Sequence, residues 1–442
     1  MKQLVVLASL IVATLLLLTC GGGGPDVETS PAGLPNGPHP VVVIAIDGLR
    51  ADALGCYGGD VDTPSFDALA AESVRFDQAY AQAPEMMPSL AALLSGLYPT
   101  TNGMRSSGDQ LQADAMTLAE AVQSAGMATA AFIEGAPGGA DYGLAQGFDS
   151  FQVAERPGAE ALGWMNEHAS DDFLLVMAGW GSRALDQAGL LLDETEAIDP
   201  ERVAEVLASR DGDDPLLFDD QEMARIRAWY AARVQVMDAF IGDFMTAFTT
   251  AGLDERATLI VLGSNGLALQ EHDDLFGETV YAPVTRVPLM IRFPGGEQAG
   301  DQGTIVELID VMPTVLDLTG GSAPAGCQGT SLLPIVDGTS TPPYVAFGET
   351  PNGPGQRFVA LAGYRAVATG DDGTVELFHT TVDPLELDNL AETEADKLAK
   401  LSNDLGAWSQ MVAATSLDPE LRTDAELDDE TMKQLKSLGY IQ

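Results

Sequence analysis

Asp47 is the first residue in the chain with chemistry to offer. It closes the apolar run Val41-Val42-Val43-Ile44-Ala45-Ile46, and a carboxylate at the carboxyl end of such a strand is where α/β proteins place ligand-binding groups. A second marked place is Ala83-Pro84-Glu85-Met86-Met87-Pro88-Ser89-Leu90. Pro88 suits the first turn of a helix that would run to about Ser95 and stop at Gly96. Residue 86 therefore stands at or just before a helix amino terminus, where partial positive charge favours a substrate oxyanion or an ionised nucleophile. The side chain found there is methionine. A thioether has no proton to lose, so covalent catalysis from this position is excluded chemically. Ser89 lies beside it, but no base partner for that hydroxyl is identifiable.

The surrounding pattern supplies the elements that must hold these positions. The first strand is apolar on both faces and reads as central in a sheet covered by helices on each side. A helical segment around Phe66 to Glu72 and the short run Val74-Arg75-Phe76 follow. Apolar strands at Ala128 to Phe132, Phe173 to Met177 and Thr258 to Gly263 then alternate with helices, the longest from about Asp220 to Ala251. This alternation predicts a large mixed, mostly parallel sheet. Residues 185–220 are acidic and poorly patterned, as in a surface excursion. After about residue 340 come short strands at Tyr344 to Phe347, Arg365 to Ala368 and Val375 to Phe378, then a helix from Glu394 to Met411. These predict a smaller antiparallel sheet with a packed helix, so the expected units are residues 40–340 and 341–442.

Composition narrows the partners. There are 66 acidic against 21 basic residues, a formal charge of −45. Nucleic acid is excluded on that balance. The acids are spread along the chain, as in a solvated acidic surface, and a polyanion would be repelled at long range unless a local basic or metal site overrode the field. The first residues predict export: Lys2, an apolar run from Leu4 to Leu18, then Thr19-Cys20 and four glycines. Leu17-Leu18-Thr19-Cys20 is similar to a bacterial lipobox, in which the Cys carries lipid. Residues 1–20 are thus expected as a signal peptide ending at a lipidated Cys20, simple cleavage being the alternative, and residues 21–39 as a tether to the cell envelope. Membrane contact is expected only through that lipid. Cys56 and Cys327 are expected to be free thiols.

The ordered motifs carry a family likeness. Ile46-Asp47-Gly48-Leu49-Arg50-Ala51-Asp52, Gly55-Cys56-Tyr57-Gly58, Thr63-Pro64 through Phe76, and Pro88-Ser89 through Pro99 come first. Ala145-Gln146-Gly147-Phe148-Asp149, Arg286-Val287-Pro288-Leu289, Ile309-Asp310-Val311-Met312-Pro313-Thr314, Asp383-Pro384-Leu385-Glu386-Leu387-Asp388-Asn389-Leu390 and Leu435 to Tyr440 follow. In this order the chain resembles the sulfatases of the alkaline phosphatase superfamily. The resemblance implies sulfuric or phosphoric ester hydrolysis by a Cys or Ser, oxidised to formylglycine, in Cys/Ser-x-Pro-Ser-Arg. Mapped here, the nucleophile falls on Met86, so no formylglycine is expected, and the Arg falls on Leu90. It also implies a divalent cation, usually calcium, held at Asp47 and at a pair after a late strand. That pair reads Ser264-Asn265-Gly266. One carboxylate and one amide give little charge to offset dehydration of a dication, so the metal is expected to be weakly bound or absent. The family's Asp-Pro-His after the strand at Phe173 is here Ala178-Gly179-Trp180-Gly181-Ser182, and Asn102-Gly103 stands where a His is common. His272, within Gln270-Glu271-His272-Asp273, matches a recurrent family Glu-His and is the one histidine expected near the cleft, a surface loop being the other reading. Three readings stay open: a pseudo-sulfatase that binds a sulfated or other glycan, an anion or a cell-envelope protein; an ester hydrolase using metal-bound water at Asp47; and a displaced motif with a neighbouring hydroxyl as nucleophile.

Overall fold

The computed structural model describes residues 37–417 apart from 136–140, 156–157, 180–201, 203–204, 207–208, 210–215, 275–276, 297, 340–343, 352–354 and 371–372. The signal peptide, Cys20, most of the tether, Trp180-Gly181-Ser182, most of the acidic excursion and the terminal motif at 435–440 lie outside the described residues.

Eight strands form the large sheet: β1 (Val41–Ile46), β2 (Val74–Tyr80), β3 (Ala128–Glu134), β4 (Ser150–Ala154), β5 (Phe173–Gly179), β6 (Thr258–Gly263), β7 (Arg286–Arg292) and β8 (Gly300–Glu307). Their order across the sheet is β4-β3-β5-β1-β6-β7-β2-β8. Only β7 pairs antiparallel with its neighbours, so the sheet is mixed and mostly parallel, as the alternating pattern predicts. The expected central strand is central: β1 lies between β5 and β6, and all six of its side chains are fully buried.

Strand periodicity sorts those side chains to two faces. Val41, Val43 and Ala45 join one core with helices α2 (Met86–Ser95), α3 (Leu118–Ser124) and α6 (Val311–Leu318). Val42, Ile44 and Ile46 join the other with α1 (Pro64–Ala71), α4 (Gly158–Glu167) and α5 (Asp220–Thr250). The long helix α5 begins at a capping box between Asp219 and Glu222. Its buried stripe, Met223, Ile226, Tyr230, Val234, Met237, Ile241, Phe244 and Phe248, recurs every three or four residues and lies against the sheet.

The second sheet is antiparallel, in the order β12-β11-β10-β9, from β9 (Val345–Thr350), β10 (Gln356–Leu361), β11 (Tyr364–Thr369) and β12 (Thr374–His379). Helix α7 (Ala395–Thr415) covers it with Leu401, Leu405, Trp408 and Val412, and the Trp408 ring stacks on Phe347 at 5.2 Å. A fully buried ion pair ties this sheet to the larger unit: Arg365 Nη1 meets Glu386 Oε2 at 2.8 Å, and the same oxygen accepts from Ala282 N at 2.8 Å. Cys56 and Cys327 are free, as expected.

Candidate functional site

The carboxyl ends of the parallel strands bring the polar groups together. Beyond β1, Asp47 N donates to Gly179 O at the end of β5 (3.0 Å), and Ser264 N, just past β6, donates to Ile46 O (2.9 Å). These bonds align Asp47 and Asn265, the two residues read as cation ligands. Asn265 is buried, its Oδ1 accepts from Ser264 Oγ at 2.9 Å and its Nδ2 donates to Gly266 O at 3.1 Å. Its amide also lies close enough to Asp47 to favour the ionised carboxyl.

A third group at this place was not anticipated. Arg233, one residue before Val234 of the buried stripe on α5, reaches the loop after β1. Its Nη2 donates to Asp47 O at 2.7 Å and lies 3.9 Å from Asp47 Oδ2, with only 4% of the side chain exposed. Gly48 makes the approach possible: its φ is +65°, and a Cβ there would stand 2.7 Å from Arg233 Nη1. Burial pushes the Asp47 carboxyl above its ordinary pKa, opposed first by the Arg233 charge and then by the Asn265 amide. Asp47 Oδ1 and Arg233 Nε are both buried without a hydrogen-bond partner. Isolated in a helical stripe, an arginine reads as surface charge, so no signal in the chain pointed to it. Glu134, closing β3 beside Gly179, was also passed over, although an acid ending an apolar run was the signal used for Asp47.

Acids in the loops after β1 and β6 are committed to other partners. Arg50 holds Asp52 through two bonds of 2.8 and 2.7 Å and Glu271 through one of 2.9 Å. Asp274 accepts from Thr279 N and Thr279 Oγ1 at 3.0 and 2.8 Å, and Asp273 is exposed. Among the described residues no group of three or more His, Cys, Asp or Glu side chains could hold a metal ion. Among the described residues, the two read as ligands offer a divalent cation one carboxylate and one neutral amide already bonded on both ends, with the Arg233 guanidinium beside the carboxylate. That donor set does not fit a dication.

Met86 is the first residue of α2, half-buried and packed against the core. The preceding Glu85 is buried and accepts from Ser107 N at 2.8 Å, so a carboxylate already stands at this helix amino terminus. Leu90, one turn on, is fully buried among the apolar side chains of the first core. Ser89 is equally buried, and its hydroxyl donates to Ala83 O at 2.9 Å. Asn102 is also buried, accepting from Met104 N at 2.9 Å. His272 lies against the second sheet: it stacks on Tyr281 at 3.5 Å, and its Nε2 is 3.0 Å from Leu385 O. His39 lies 3.0 Å from Thr258 Oγ1, His168 stacks on Trp164, and His379 meets the edge of Tyr364.

Strand order, helices on both faces and a polar cluster at the carboxyl ends of β1, β5 and β6 define an α/β chain of alkaline-phosphatase-like layout. The chain belongs to the sulfatase family: residues 39–175 and 155–322 match the family described as Sulfatase, and residues 271–410 match N-sulphoglucosamine sulphohydrolase, C-terminal. It is 27% identical over 202 residues to arylsulfatase K of Xenopus laevis, covering 42% of this chain and 38% of that one. It is 27% identical over 239 residues to arylsulfatase K of Danio rerio, covering 50% and 46%. The chain thus aligns with less than half the length of these curated relatives. Among solved structures, the phosphonate monoester hydrolase of Agrobacterium radiobacter superposes with a TM-score of 0.70 at 18% identity, over 87% of this chain and 99% of that one. A protein in complex with its substrate D-glucosamine-2-N,6-O-disulfate superposes with a TM-score of 0.68 at 19% identity, over 85% and 98%. These likenesses are to the fold.

Proposed function

We propose that this chain is a non-hydrolytic sulfatase relative that binds a sulfate-bearing glycan at the carboxyl ends of β1 and β6. The observation that carries the reading is Met86 heading α2, the place the family likeness gives to the nucleophile. A thioether supplies neither attack nor a hydrated aldehyde. Leu90, packed in the core, offers no guanidinium to orient one. Solved neighbours that handle sulfated sugars, among them a 2-O GAG sulfatase, support the ligand class. We further propose export and lipid attachment at Cys20, which would present the cleft to extracytoplasmic glycans or to a cell-envelope partner.

The test has two arms on the purified protein. With an aryl sulfate and a phosphodiester, with and without calcium, turnover above buffer is expected to be absent. Turnover that disappears in Asp47→Ala would establish instead a hydrolase using water at that carboxylate. In calorimetry, a sulfated glucosamine is expected to bind while its unsulfated parent does not; equal silence from both would remove the glycan-binding role.

A further inference from the structure

We propose that Arg233 is the resident cation of the cleft, its guanidinium replacing a divalent ion beside Asp47, so that a positive charge stands there without any metal. This rests on the anion-binding reading for its purpose, but not for its geometry.

Three observations carry it. Arg233 comes from the middle of α5, whose buried stripe fixes it against the sheet, and 96% of the side chain is out of solvent (4% exposed). Second, among the described residues the carboxylate it meets is Asp47, at 3.9 Å, while its hydrogen bond goes to the Asp47 carbonyl at 2.7 Å. Third, Gly48 and Arg233 exclude each other's bulk. Any side chain at 48 would put its Cβ 2.7 Å from Nη1 and 2.8 Å from Nη2. As placed, the guanidinium fills the space that a side chain at 48 would need.

The remaining donors agree. Asn265 has both ends of its amide bonded, Asp52 is held by Arg50, and Asp274 is bound to its own loop. Asp47 Oδ1 is buried and without a hydrogen-bond partner. A dication there would sit next to a fixed monocation with a single carboxylate for counter-charge.

Calcium alone, titrated by calorimetry, tests this, with Asp47→Asn as the reference for ions collected by the acidic surface. Wild type and Asp47→Asn are expected to take up the same number of calcium ions. One ion more in wild type would place a metal on Asp47 and overturn the proposal, whatever the Arg233 variants do. The gain-of-site variant is Gly48→Asp with Arg233→Met. Aspartate tolerates the left-handed backbone at 48, and the removed guanidinium leaves it space. This variant, checked for folding by circular dichroism, is expected to gain a calcium site roughly tenfold or more tighter than the surface background. A folded double variant that gains none would show that the guanidinium is not what keeps the ion out, which also overturns the proposal. If sulfated sugars fail to bind while calcium uptake is as expected, the glycan reading falls and the resident cation stands.

Discussion

Leu90→Arg would restore the guanidinium that the family places one turn after its nucleophile, and its cost measures how far this position has moved into the core. Leu90 is fully buried among neighbours that include Ala91, Leu93 and Leu94 of its own helix. Burying a leucine contributes about 1.5–3 kcal/mol, part of which the aliphatic stem of arginine would recover. Its neighbours in that cluster are apolar, and an unpaired ion held out of water costs several kcal/mol even after relaxation. The expected loss is therefore about 4 kcal/mol or more, a large share of the 5–15 kcal/mol that holds a typical domain folded. Urea unfolding followed by tryptophan fluorescence would read it as a lower midpoint at unchanged slope. Leu90→Met conserves volume and is expected to cost less than about 1.5 kcal/mol. If Leu90→Arg unfolded within about 0.5 kcal/mol of wild type, the range of a surface substitution, the side chain would have an open route to the cleft. The burial argument for a dismantled site would then be refuted.

A second test lies between the two sheets, where the Glu307 carboxylate accepts from Tyr98 and from Phe347 N and lies near Asp310. Burial first, and for Glu307 also the charge of Asp310, raises both carboxyls, Glu307 well above its ordinary range and Asp310 to about 7. A raised carboxyl means that the folded state binds more protons, so the associated stability is present at low pH and lost as pH rises through the folded value. The rise at Asp310 from 3.8 to about 7 sets an upper bound of about 4 kcal/mol lost from pH 4 to 8. Glu307→Gln, which removes one charge of the pair, is expected to flatten that decline in melts at stepped pH; parallel profiles would contradict it. A third test is Tyr230→Phe. The hydroxyl accepts from Arg50 N at 2.9 Å and donates to Gly48 O at 3.0 Å. Its loss leaves both buried backbone groups unpaired and is expected to cost about 1–3 kcal/mol in urea unfolding.

The chain announced its sheet more clearly than its site. The fully apolar β1 could be read as central because only a strand covered on both faces carries Val, Ile and Ala without alternation, and Asp47 followed from its ending. The head of α2 was legible from Pro88 and Gly96, since proline at a first turn and glycine after the last residue mark boundaries with a steric cause. Strand β10 was not read, because Gln356-Arg357-Phe358-Val359-Ala360-Leu361 begins with two long polar residues. Arg233 was invisible for another reason. It lies 186 residues from Asp47 along the chain, and nothing local distinguishes a helical arginine that faces water from one that faces a carboxylate. His272 shows the reverse: its motif matched, but the fold spends its ring on Tyr281 and its Nε2 on Leu385 O.

The acidic surface and the buried arginine bear on one another. A chain of 66 acidic and 21 basic residues turns anions away at long range, so a site meant for a sulfate group needs positive charge close at hand. A metal held by Asp47 and one amide would supply it only while calcium was abundant and only against competition from the surface acids. A guanidinium supplied by α5 has no such dependence. Turnover demands groups whose interaction strengthens toward the transition state, and Met86 and Leu90 cannot provide them. Recognition demands only fixed charge and shape. On the proposed reading, Arg233 beside Asp47 is therefore compatible with binding without catalysis, and the calcium and sugar titrations probe those two properties separately.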